Sequence, residues 1–347
     1  MFGMYRTLLA LLVVLSHLGG IPVIGGYAVF AFYILSGYLI TLIMQKTYGY
    51  SRVGFFRYAL NRFLRIFPMY WFSCLISIVL ILWVGKEFTI NYCDALYIPE
   101  NVRSTINNLF IVFPNSTKDM PRLTPPTWAL SIECFFYLCI GLGLSKTRRL
   151  VLIWFFLSVA YHIGVNLLGL SFAYKYTIIT AASLPFSTGA LIYFYKDTFL
   201  KAFAFLRNPF MPYLLIFLFF LNWYLGYQLH ALYGISFYIN YVLNATMIIS
   251  LAERTSLPWI PKRIDAQIGD YSYPIYLIHY QAGLILLIIL AVFGIRVTRP
   301  NGLLMITSIP LIFAVSWVLI IIIEHPIELV RVRIKTRGFK SSRTITT

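Results

Sequence analysis

Read from its start, the chain alternates between long apolar runs free of Asp, Glu, Lys and Arg and shorter segments in which basic residues gather. A helix rises about 1.5 Å per residue, so roughly 20 apolar residues cross a hydrocarbon core about 30 Å thick. Such runs occupy Tyr5 to Gly20, with Arg6 at its very start, then Tyr27 to Gln45, Ile66 to Gly85, Trp128 to Ser145, Leu150 to Tyr174 and Tyr176 to Tyr195. Two more occupy Tyr271 to Ile295 and Pro300 to Ile323. Residues 208–252 carry no charge and are too long for one crossing; they divide at Gly226-Tyr-Gln-Leu-His230. The pattern predicts an all-α polytopic membrane protein with about ten transmembrane helices. Only one acidic residue, Glu133, interrupts a run.

The basic residues alternate in the same rhythm. With the N-terminus inside, 21 of the 28 lysines and arginines fall on the cytoplasmic side, in Arg6, the 46–65, 146–149, 196–207 and 254–263 segments, and the tail from Arg331. This bias orients the helices with both termini in the cytoplasm. It also accounts for the net charge of +17, which therefore does not argue for nucleic acid as a partner. The chain is 60% hydrophobic and only 11% charged, with a mean hydropathy of +0.80. Soluble domains carry about 25% charge, so that class is excluded. Residues 1–330 read as one membrane domain and residues 331–347 as a basic cytoplasmic tail beside anionic lipid. Cys74, Cys93, Cys134 and Cys139 have neither metal-ligand nor disulfide-framework spacing. Leu8 to Leu15 is the length of a signal-peptide core, but Leu18-Gly-Gly-Ile-Pro-Val makes a poor cleavage site, which favours a retained helix.

A few residues can carry chemistry. Arg6 and His17 stand eleven apart in the first run, which leaves them about 20° from one another on one helical face and roughly 16 Å apart along it. A lone arginine there can equally be an interfacial anchor, and a lone histidine a buried core residue. Glu133 is an ionisable group within a span, which by default marks a functional site or a paired structural charge. With Thr124 as N-cap and Pro125 at the first helical position, Glu133 lies at a depth comparable to His17. A carboxylate beside an imidazole fixes its tautomer and raises its basicity for general-base work. Arg57, Arg62 and Arg65 form a basic cluster, with Arg62 and Arg65 neighbours on one face and suited to phosphate. Ser36-Gly37 interrupts the second run with two small residues, ordinarily a packing device. Tyr276 and His279 add a hydroxyl and an imidazole to the ninth run, whereas His162, His230 and His325 read as ordinary core or loop histidines. No phosphate-binding loop, dinucleotide fingerprint, zinc motif or serine elbow occurs.

Taken together, these stretches resemble the integral-membrane acyltransferase 3 family. Arg6 and His17 match its Arg-x10-His signature, and Phe30-Ala-Phe-Tyr-Ile-Leu-Ser36-Gly37-Tyr-Leu-Ile is similar to its second helix. Arg62-Phe-Leu-Arg65-Ile-Phe-Pro68 resembles its RxxRIxP element, and Thr127-Trp128-Ala-Leu-Ser131-Ile-Glu133-Cys-Phe-Phe-Tyr137 its TWSLSxExxFY element. Ser272-Tyr-Pro-Ile-Tyr276-Leu-Ile-His279 and Glu324-His-Pro326 complete the order. Cys134 stands where a second acidic residue often follows Glu133.

The resemblance implies a multi-pass O-acetyltransferase of the inner or plasma membrane, working without metal. It would move an acetyl group from cytoplasmic acetyl-CoA to a hydroxyl of a glycan, such as O-antigen or exopolysaccharide, or of a lipid-linked sugar. His17 would act as general base with Glu133 orienting it. Arg6, Arg57, Arg62 and Arg65 would bind the donor's phosphates, and Ser36, Trp128, Ser131, Tyr276 and His279 would line the substrate site. Acylation of a small molecule or lipid, and transport without chemistry, are the alternatives.

Overall fold

The computed structural model describes residues 1–113, 120–229 and 233–341. Its helices are α1 Gly3–Gly19, α2 Ile24–Ile43, α3 Arg52–Val84, α4 Lys86–Tyr92, α5 Val102–Phe110, α6 Thr127–Gly141, α7 Arg148–Leu167 and α8 Phe172–Tyr176. They continue with α9 Ile179–Ala202, α10 Met211–Gln228, α11 Tyr233–Leu251, α12 Lys262–Asp270, α13 Ser272–Val292, α14 Gly302–Leu319 and α15 His325–Ser341. Two π-helical turns, Met44–Tyr48 and Ile320–Glu324, extend α2 and join α14 to α15. Among the described residues there is no strand, only one isolated bridge between Leu257 and Ile260. Each apolar run named above coincides with a helix. Seven helical segments, 24–48, 52–84, 148–167, 172–202, 234–251, 262–292 and 302–335, are long and apolar enough to cross a membrane. α1 and α6 are shorter apolar helices. The expected break at 226–230 falls where α10 ends, although His230 itself lies outside the described residues.

Three boundaries differ from expectation, each for a local reason. α3 does not begin at Ile66 but at Arg52, because Ser51 caps it: the Ser51 hydroxyl accepts from Gly54 N at 3.1 Å. Hydropathy registers where a helix enters lipid, whereas caps decide where it starts, so α3 takes in Arg57, Arg62 and Arg65 well before its apolar run begins. Thr124 is not the N-cap of α6. Its carbonyl instead accepts from Thr127 N at 3.1 Å and Thr127 Oγ1 at 2.7 Å, while its hydroxyl faces Ser73 Oγ at 3.0 Å. The basic tail is not separate at its start, since α15 runs through residues 330 and 331.

The chain forms two compact units. Residues 1–16, 21–42 and 144–272 make the first, and residues 17–20, 43–143 and 273–347 the second. In the first, Gly37 of α2 and Gly189 of α9 bring two backbones together. A Cβ on Gly37 would strike the carbonyl of Phe186, and one on Gly189 the carbonyl of Ile34. Ser36-Gly37 is therefore part of a close small-residue crossing of the kind membrane helices use. The Asp265 carboxylate accepts from Gly3 N at 3.1 Å and Met4 N at 3.0 Å, satisfying orphan donors at the start of α1. His162 is held by Ala181 O at 3.0 Å and Tyr238 OH at 2.9 Å, the structural role expected of it.

In the second unit α3 packs along α15. The two π turns lie against the same pair of helices. Further along α3, buried Ser73 and Ser77 face Gln281 of α13, whose amide oxygen accepts from both hydroxyls at 2.9 Å.

Candidate active site

His17 ends α1 with its ring against α13. Its Nδ1 lies 3.0 Å from Nε2 of His279. The two rings are nearly coplanar, 11° apart with centroids 5.2 Å apart. That separation is the N···N distance plus the two ring radii, so the rings meet edge to edge, with N–H and lone pair in line. The direction of the bond follows from what lies behind His279. Its Nδ1 faces two carbonyls of its own helix, Tyr276 O at 2.9 Å and Ile275 O at 3.3 Å. A carbonyl only accepts, so His279 Nδ1 carries the proton and, in the neutral ring, Nε2 holds a lone pair. His17 must then donate from Nδ1. The lone pair of neutral His17 is thereby placed on Nε2, which has no protein partner among the described residues. His279 is fully buried and His17 half-buried.

Arg299, in the segment between α13 and α14, fixes the backbone of this histidine. It donates from Nη1 to His17 O at 3.1 Å and from Nε to Tyr92 O at 2.8 Å. Both are carbonyls at helix C-termini, where cations are favoured and acceptors are otherwise orphaned. The guanidinium lies over the rings of Tyr280, 4.7 Å away, and Tyr92, 5.2 Å away. Tyr92 OH closes the clamp by donating to Tyr280 O at 2.9 Å. Tyr280 also leans on both imidazoles, with centroids 5.2 Å from His17 and 4.9 Å from His279. Burial pushes the neighbouring Cys93 thiol up, so it stays protonated and a poor nucleophile at neutral pH.

Glu133 does not orient His17. The tyrosine one turn on, Tyr137, donates to its carboxylate at 3.1 Å, and the imidazole's partner is His279. Matched depth was all that the sequence offered for that pair, and depth does not fix which helix stands opposite. Tyr276 OH donates to Pro126 O at 2.6 Å, and Ser131 Oγ accepts from Phe113 N at 2.9 Å. Both hydroxyls thus hold the segments that lead into α6. Trp128, half-buried, opens the same helix. Ser36 belongs to the first unit, on α2.

The arginines form a second cluster within the second unit. Arg65 pairs with the buried Glu324, and Arg331, 8% exposed, pairs with Glu328 and reaches Glu324 at 3.6 Å. Asn61 ties α3 to α15 by donating to Arg331 O at 3.2 Å, and its own side-chain oxygen accepts from Arg62 Nη2 at 3.1 Å. The Nε atoms of Arg62 and Arg331 are buried with no partner. Arg57 makes neither a hydrogen bond nor an ion pair with the described residues. Three guanidinium groups, those of Arg62, Arg65 and Arg331, thus share two carboxylates, beside two π turns, a local geometry frequent at functional sites. Arg6 belongs to the first unit, packed against Gly269 of α12.

Sequence reasoning missed Arg299, Tyr92, Tyr280 and Arg331. In the sequence Arg299 and Arg331 stand out only as basic charges beside apolar runs, and no periodicity brings Tyr92 or Tyr280 beside His17. A search of family models matches residues 4–324 to one described as an acyltransferase domain, that of the acyltransferase 3 family. No curated protein matches the chain, and no solved structure does.

Proposed function

The chain belongs to the acyltransferase 3 family and is a multi-pass membrane protein, and on that premise we propose that it is an O-acetyltransferase of a cell-surface glycan. The donor in this proposal is acetyl-CoA from the cytoplasm, and the acceptor is a sugar hydroxyl, free in the glycan or on a lipid-linked precursor. The topology that goes with it has ten crossings of the plasma membrane and both termini inside, in keeping with the strong basic bias of one set of loops.

The observation that carries this proposal is the lone pair left on His17 Nε2 by the hydrogen bond at Nδ1. In the reaction, His17 Nε2 takes the proton of the acceptor hydroxyl as its oxygen bonds to the thioester carbonyl carbon. The carbon–sulfur bond then breaks, and the leaving thiolate takes that proton back from Nε2. Arg299 holds the His17 backbone still during both steps. The surplus of guanidinium over carboxylate around Arg62, Arg65 and Arg331, with Arg57 earlier on α3, suits the several phosphates of coenzyme A. Tyr276 and Ser131 act on the acceptor by shaping the entrance to α6, with Trp128 as an apolar face for a sugar ring.

Mass analysis of surface glycan tests the proposal in cells lacking the gene, complemented with wild type or His17→Ala. Wild type alone should add the mass of an acetyl group. A glycan unchanged by any form removes the acceptor assignment, and a shift restored equally by His17→Ala removes the base.

A further inference from the structure

A base at His17 needs a partner at Nδ1, and the sequence points to a carboxylate for that place. The structure offers an imidazole. Free histidine in water favours the proton on Nε2, yet here both rings are held with the proton on Nδ1. The cause is a relay anchored in backbone: the carbonyls of Ile275 and Tyr276 fix His279, and His279 fixes His17. The carbonyls belong to the helix that carries His279 and cannot change role, so the order of donors along the relay has one direction only.

We infer that His279 is the positioning residue of the transfer, doing for His17 what a buried aspartate does in hydrolytic triads. This rests on His17 being the base. Its consequence is a resting site with no charge on either ring. An isolated carboxylate buried in this apolar setting would cost several kcal/mol to keep ionised. The neutral pair avoids that cost and still receives the proton when it comes. Once Nε2 of His17 is protonated, its Nδ1–H points at the lone pair of His279, which stabilises the imidazolium directly. If the shared proton crosses the 3.0 Å bond, the charge moves to His279, whose two N–H groups then face His17 and the helix carbonyls. Both positions of the proton are hydrogen-bonded. The groups facing the pair are the neutral Tyr280 and the cation Arg299, and the latter sits at the His17 carbonyl and not at the ring nitrogens.

Two measurements test the inference. The first is nitrogen NMR of the purified protein with histidine imidazoles labelled, which reads tautomers without reference to activity. His17 and His279 should both show the Nδ1–H form in wild type, and His17 should revert to the Nε2–H form in His279→Phe. A wild-type His17 protonated at Nε2 overturns the inference. The second is turnover of acetyl-CoA, followed as thiol release by membranes holding the native acceptor. His279→Phe keeps ring volume and removes the lone pair; its kcat should fall about 10²- to 10⁴-fold with KM for acetyl-CoA within about threefold. His279→Gln, which returns an acceptor oxygen toward the same position, should recover at least tenfold of that loss. Equal kcat in the Phe and Gln variants overturns the positioning role, whether both are active or both dead. Should His17→Ala retain full activity, the base assignment fails, while the tautomer measurement still decides whether the relay exists.

Discussion

Around His17, polar atoms meet neutral partners: imidazole meets imidazole, imidazole meets backbone carbonyl, and the one nearby cation is spent on two helix-end carbonyls and two aromatic faces. In the first part of α3 the opposite holds. Arg65 and Arg331 pair with Glu324 and Glu328, Arg62 stands beside them on Asn61, and two buried guanidinium nitrogens are left over. Both clusters lie in the second unit and are held by its helices. The first is arranged so that a proton can arrive and leave without any group being stranded charged in a low-dielectric setting. The second carries an unbalanced charge, which a polyanion would balance. On the proposed function one region serves the chemical step and the other recognition of the donor, so substitutions in the two should separate kcat from KM.

The largest effect belongs to His17, the proposed base. His17→Ala should lower turnover at least about 10³-fold with normal insertion, since positioned general bases contribute about 10²–10⁴. Turnover by this variant within tenfold of wild type would erase the contrast between the clusters. Next comes Arg299→Ala, which frees the carbonyls of His17 and Tyr92 together. Loss of alignment by about 1 Å at a reacting group can cost about 10²-fold, and that is the fall expected in kcat, with the KM for acetyl-CoA little changed. A rise in KM instead would move Arg299 from the chemical cluster to the recognition cluster.

How much of this was legible beforehand follows from what each pattern encodes. Apolar runs located α1, α2, α7, α10, α11, α13 and α14 because burial in lipid demands continuous hydropathy. They misplaced the start of α3, where Ser51 and not hydropathy sets the boundary. A lysine and arginine count sees Arg299 only as a loop charge and Arg331 only as a tail charge, and no count distinguishes a charge exposed beside the membrane from one folded over Tyr280 or under α3. His17 stands out because ionisable groups are rare in apolar runs, and His279 adds an imidazole to the ninth run. Their pairing was hidden because it joins residues 262 apart, and only the packing of α13 brings them into line. Glu133 is the partner the sequence suggests on chemical grounds, a carboxylate being a common orienter of a histidine. The energetics of a neutral pair in an apolar setting weigh the other way.

In the arginine cluster the structural and recognition roles are separable. Glu324 holds Arg65 and reaches Arg331, with about a tenth of its side chain exposed. Removing one partner of a buried ion pair strands the other, at about 3–5 kcal/mol. Glu324→Ala should therefore lower unfolding stability in detergent by about that amount, and Glu324→Gln by less, since an amide oxygen can still accept from Arg65. Stability unchanged in Glu324→Ala would mean that the carboxylate is no more than a surface charge.

Arg62→Ala is the smallest and most discriminating change. Arg62 makes one side-chain hydrogen bond, to its neighbour Asn61, and its buried Nε makes none, so little of the fold depends on it. Its removal should cost under about 1 kcal/mol in stability, the net worth of a typical single hydrogen bond. If the unspent nitrogen meets a donor phosphate, the loss appears on binding instead: a charge-assisted hydrogen bond is worth about 1.5–3 kcal/mol, which raises KM for acetyl-CoA roughly tenfold or more. The kcat should stay within about twofold, because a contact made equally in the ground and transition states alters KM alone. Arg62→Lys keeps the charge without the planar fork and should fall between. Saturation with acetyl-CoA in membranes carrying each variant gives both constants. An unchanged KM in Arg62→Ala would return this arginine to the role its sequence position first suggests, a positive charge that orients its helix in the membrane, and would leave the chemical cluster as the sole site in the second unit with an assigned reaction partner.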